Sequence, residues 1–71
     1  MLTTTIGQRI RQARNEIGRT QKDLANACRC HRKTIMRIEA DRHDMTAFLF
    51  MEIARALGKS LDWLAFGRDV A

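Results

Sequence analysis

A chain of 71 residues, 45% hydrophobic and 30% charged, has the size of one domain and the composition of an ordinary helical fold. Its 13 Lys/Arg against 8 Asp/Glu give a formal charge of +5 at pH 7, which points to a polyanionic partner, nucleic acid first. The longest apolar run, AFLFM at 47–51, is far too short to span a bilayer, and MLTTTIGQRIRQAR reaches charge too early for a signal peptide. With two cysteines and no export signal, the expected compartment is reducing cytoplasm.

The charge is uneven. Residues 1–42 hold ten Lys/Arg against four Asp/Glu, and residues 43–71 hold three against four. The first part is suited to face phosphate while the second does something else.

Five short helices are predicted, with no repeat and no linker. Ile6, Ile10, Ala13 and Ile17 mark one face of an amphipathic helix, with Arg9, Arg11, Gln12 and Arg14 mostly on its other sides, closed by Gly18. Thr20 caps a second helix, with Asp23 completing a capping box and Leu24, Ala25 and Cys28 facing inward. A third helix runs from about residue 31 or 32 to 40, with Ile35 and Ile38 inward. Thr46 caps a fourth, whose inner stripe is Ala47, Phe50, Ile53, Ala54 and Leu57, closed by Gly58. Ser60 caps a last helix holding Trp63 and Leu64, ended by Gly67. No alternating segments flank a hairpin turn, so the fold class is all-α.

The second and third helices lie so close in sequence that they must meet steeply, as in a helix-turn-helix. The third then offers its first turn outward, and that turn reads Arg32, Lys33, Thr34. Arg and Lys suit guanine O6 and N7 in the major groove, and Thr can contact several base edges.

TQKDLANACRCHRKTIMRIE, residues 20–39, resembles the helix-turn-helix of the phage Cro/repressor family, often called XRE-type. The family pattern T-Q-x-x-L-A, nine variable positions, then I-x-x-I-E is met by Thr20, Gln21, Leu24, Ala25, Ile35, Ile38 and Glu39. EIARALGKSLDWLAFG, residues 52–67, is similar to the family's fourth and fifth helices, and the likeness is greatest to the DNA-binding domains of the phage 434 Cro and repressor proteins. The resemblance implies a compact five-helix, lambda-repressor-like domain over 1–71, its helix-turn-helix at about 20–40. It implies base contacts by Arg32, Lys33, Thr34 and Arg37. Phosphate contacts would come from Thr20, Gln21, Arg29, Arg42 and Arg14. An ion pair of Arg14 with Glu39 would tie helix one to helix three. The phage 434 proteins carry glutamines at the two leading positions. Glutamine favours adenine, so Arg32 and Lys33 imply guanine in each half-site.

Three departures from the pattern matter. Arg29 stands where the family turn usually has glycine in a left-handed backbone, at a cost of about 1 kcal/mol. A phosphate contact by Arg29 would offset that cost. His31 replaces the usual Ser or Thr cap and is a poorer one. The loop ADRHDM, 40–45, carries Asp41 and Asp44, which would repel phosphate and leave Arg42 as its one contact.

Cys28, Cys30 and His31 form C-x-C-H, but structural zinc commonly takes two separated ligand pairs. The remaining candidates are His43, expected as a solvated loop residue, and scattered carboxylates. Cys28 and Cys30 are expected to pack as small hydrophobes, with no metal and no cofactor, and redox sensing stays open as the alternative. Arg9, Arg11 and Arg19 fit either phosphate contact or plain solubility. Phe48, Leu49 and Met51 point away from the inner stripe and mark either a dimer or partner seam or a second flank of the core, and the family resemblance puts Leu61 and Trp63 near that seam. No serine–histidine–acid set, glycine-rich phosphate loop or carboxylate pair argues for an enzyme. The expected function is a Cro-type repressor of bacterial or prophage origin, bound as a homodimer to palindromic double-stranded DNA. An antitoxin that also binds a toxin, or a restriction–modification controller, are the alternatives.

Overall fold

The computed structural model describes residues 4–42 and 44–68. Its helices are α1 (Ile6–Glu16), α2 (Gln21–Ala27), α3 (Arg32–Glu39), α4 (Ala47–Leu57) and α5 (Leu61–Phe66), and no strand occurs among the described residues. His43, the expected solvated loop residue, lies outside the described residues.

The helix starts follow from side-chain chemistry. Thr5 and Gln8 close a capping box on α1, and Thr20 and Asp23 close one on α2, at 3.0 and 2.9 Å. The two hydrogen bonds from Thr20 hold the Asp23 carboxyl below the usual carboxylate range. Thr46 and Ser60 cap α4 and α5. His31 precedes α3 with no side-chain cap bond, as its chemistry predicts.

Each helix contributes one fully buried aliphatic side chain to a common centre: Ile10, Leu24, Ile35, Ile53 and Leu64. Burial of each stabilises the fold by about 1.5–3 kcal/mol. Ala13, Ala25, Cys28, Ile38, Ala54 and Leu57 fill the space between them. Two expected inward residues are exposed instead. Ile17 follows the last turn of α1, where the chain already leaves the core, and Ala47 opens α4 ahead of its buried stripe. Phe50 is only half-buried against the core.

Arg9 overturns the expectation of an outward cation. It is 7% exposed. Its Nε donates to the Leu64 carbonyl at 2.8 Å and its Nη2 to the Ala65 carbonyl at 3.0 Å, while Nη1 reaches the Thr4 carbonyl and hydroxyl. The last carbonyls of a helix lack intrahelical partners and carry partial negative charge, so the guanidinium closes the end of α5.

Helices α1 and α3 meet backbone to backbone at Gly7. A Cβ there would lie 2.4 Å from the Ile38 carbonyl oxygen and 2.7 Å from that of Glu39, closer than real Cβ atoms come. The Gly7 amide donates to the Asp41 carboxylate at 2.9 Å, and the Thr5 hydroxyl donates to the same group. Asp41 therefore caps the start of α1.

Candidate nucleic-acid interface

The turn between α2 and α3 sets the angle at which the two helices meet. Cys28 ends α2, the Cys30 amide donates to the Ala25 carbonyl at 3.0 Å, and the Arg29 amide donates to that of Asn26 at 3.3 Å. This is a Schellman turn, whose middle residue must be left-handed. Arg29 holds that place with φ 55°, and its side chain is exposed. Beneath the turn, Cys28 is buried and Cys30 half-buried against the core. Burial pushes the Cys28 thiol up to about 11 and raises Cys30 as well. Both are free thiols, and among the described residues no group of three or more His, Cys, Asp or Glu could hold a metal.

On α3, Ile35, Ile38 and Glu39 face inward. Arg32, Lys33, Met36 and Arg37 are exposed, and Thr34 is half-buried. The outward face is therefore three cations around one thioether. A cleft of about 570 Å³ runs beside it, bordered by Arg11, Thr20, Gln21, Lys22 and Arg32. These side chains give it several cationic and hydrogen-bonding groups. Arg42 is exposed after α3, and Arg19 is exposed ahead of α2.

The expected ion pair lies under this face and joins three helices. Arg14 grips Glu39 with Nε at 2.7 Å and Nη2 at 3.1 Å, and its Nη1 donates to the Arg19 carbonyl at 2.8 Å. The hydrogen bond to Glu39 raises the Arg14 pKa against the opposing effect of burial. Arg14 was also expected to touch phosphate. It is instead buried, with each nitrogen already donating inside the protein, so it braces α3 from below. Gln21 joins the same network, donating from Nε2 to Glu39 Oε1 at 3.1 Å.

The apolar surface lies on α4 and α5. Phe48 is 70% exposed and Met51 54%, with Leu61 and Phe66 also exposed. Leu49 packs on the core as its second-flank reading has it, and Trp63, expected on the seam, is also half-buried against the core. The Lys59 ammonium sits 4.5 Å from the centre of the Trp63 ring. Phe66 joins the exposed set without having been expected there. Its place, just before the closing Gly67, was the available signal.

Among the described residues, no helix is long and apolar enough to cross a membrane. A model of the helix-turn-helix family matches residues 10–64. An uncharacterized HTH-type transcriptional regulator of Methanothermobacter thermautotrophicus is 42% identical over 50 residues, covering 70% of this chain and 72% of that protein. The P22 c2 repressor in complex with synthetic operator 9T has a similar fold, with a TM-score of 0.88 at 24% identity over 93% of this chain and 100% of that one. The restriction–modification controller protein C.AhdI from Aeromonas hydrophila is similar at a TM-score of 0.80 and 25% identity, covering 83% and 89% of the two chains.

Proposed function

The chain belongs to the helix-turn-helix family, and we propose that it is a sequence-specific, double-stranded DNA-binding repressor of Cro type. The observation that carries this reading is the outer face of α3, where Arg32, Lys33 and Arg37 are exposed on a helix held by buried Ile35 and Ile38. Helix α3 enters the major groove. Arg32 and Lys33 meet guanine there, and Thr34 and Arg37 contact neighbouring edges. Thr20, Gln21, Arg29 and Arg42 border that face and hold phosphate. The Arg14–Glu39 pair keeps α1, α2 and α3 in register. Two copies bind a palindrome in the cytoplasm of a bacterial or prophage host, with half-site centres roughly 34 Å apart. Repression follows from occupying a promoter.

Selection of bound sequences from a random DNA pool tests this reading. It should return a two-fold symmetric site with guanine in each half. Neutralising about 6–8 phosphates should also give a log–log salt slope of about −5 to −7. No enriched site, or binding indifferent to salt, would contradict it. The exposed Phe48, Met51, Leu61 and Phe66 favour a second reading in which this face also meets a partner protein, as an antitoxin would. Recovery of a stoichiometric second chain with the protein from its own host would favour that reading. The fold of a restriction–modification controller is equally compatible, and gene context separates it.

A further inference from the structure

The outer face of α3 carries one side chain that the phosphate and guanine contacts do not use. Met36 is 43% exposed. It borders the cleft that holds Gln21 and Arg32 on one side, and the concavity formed with Lys33, Thr34 and Arg37 on the other. A thioether there gains nothing from phosphate and offers no donor to guanine. Exposed Ile17, by contrast, follows the last turn of α1, borders neither concavity and is the kind of scattered apolar residue any surface carries.

The major-groove edges of the four bases present donors, acceptors and one apolar group, the C5 methyl of thymine. We infer that Met36 is a specificity determinant that reads a thymine methyl. The inference rests on α3 being the recognition helix. An unbranched thioether suits the task, because it adapts its shape to a small apolar partner. The flanking Arg32, Lys33 and Arg37 fix the helix in the groove and leave Met36 at its centre.

The test uses the operator selected from the random pool, with each thymine replaced in turn by deoxyuridine, which removes only the methyl. For the unaltered protein, one symmetric position should weaken binding about fourfold per half-site, and about fifteenfold when both half-sites are changed. Met36→Ala should bind the thymine and deoxyuridine operators equally, while Met36→Leu keeps the discrimination. Thermal melting checks that both variants remain folded. A selected half-site without thymine, or indifference to every thymine methyl, overturns the inference while leaving the guanine reading standing. Sensitivity that persists in Met36→Ala also overturns it, and assigns the methyl to another contact such as Thr34. A protein that selects no operator refutes the recognition-helix reading, and this inference with it.

Discussion

Replacing Arg9 by methionine isolates the hydrogen bonds of a buried cation while keeping most of its apolar stem. In the native fold the guanidinium donates to the carbonyls of Leu64 and Ala65 and to Thr4, tying both ends of the fold to α1. A hydrogen bond to a charged group contributes about 1.5–3 kcal/mol. Losing the two α5 carbonyl contacts should therefore cost about 3–6 kcal/mol. A domain of this size has only about 4–10 kcal/mol of net stability. The melting temperature should fall by at least roughly 12 °C. Arg9→Ala should cost about 1 kcal/mol more through the lost stem packing. Arg11→Met, an exposed cation two residues on, should stay within about 0.5 kcal/mol. Urea denaturation of the three variants measures the difference. A loss under about 1 kcal/mol for Arg9→Met would refute the clamp, and with it the account of how α5 is held.

Three further outcomes follow from the geometry. Gly7→Ala places a Cβ against the Ile38 and Glu39 carbonyls, which are backbone and cannot rotate away; it should cost at least about 2 kcal/mol by overpacking, checked by thermal melting. Arg29→Gly relieves a left-handed backbone at φ 55° and should raise stability by up to about 1 kcal/mol; a gel-shift titration should show weaker DNA binding, and unchanged binding would remove Arg29 from the phosphate contacts. Burial raises the Cys28 thiol from 9.0 to about 11. Between those values the unfolded chain gives up its proton while the folded chain keeps it, so this contribution to stability is full below pH 9 and is lost as pH rises toward 11. A Cys28→Ala variant should show a flatter decline in stability over that window.

The parts of the fold that rest on local chemistry were legible in the sequence. Thr20 with Asp23, Thr46 and Ser60 announce helix starts by their own hydrogen-bonding groups, and Leu24, Ile35, Ile38, Ile53 and Leu64 lie where helical spacing puts a core. The left-handed turn at Arg29 followed from its position in the helix-turn-helix pattern. What the sequence hid was long-range. An arginine flanked by other cations on an amphipathic helix reads as solvated, because its carbonyl partners at Leu64 and Ala65 have no side-chain signature. Gly7 reads as an ordinary helical residue until α3 is seen to cross it, and Asp41 reads as a repelling charge until it is found on the start of α1. Periodicity gives a face but not what covers it, so it left Leu49 open between an outer seam and a second flank of the core, and Trp63 near a seam.

The central claim is that α3 reads bases through its first exposed turn, and a change of specificity tests it more sharply than a loss of binding. Arginine pairs with guanine O6 and N7, and glutamine pairs with adenine N6 and N7. Selection from a random pool should be run in parallel on the unaltered protein and on Arg32→Gln. Both should return the same palindrome and spacing, with guanine exchanged for adenine at one symmetric pair of positions. An unchanged consensus, or a uniform loss of affinity across all sequences, would contradict base reading by Arg32 and reduce it to a phosphate contact.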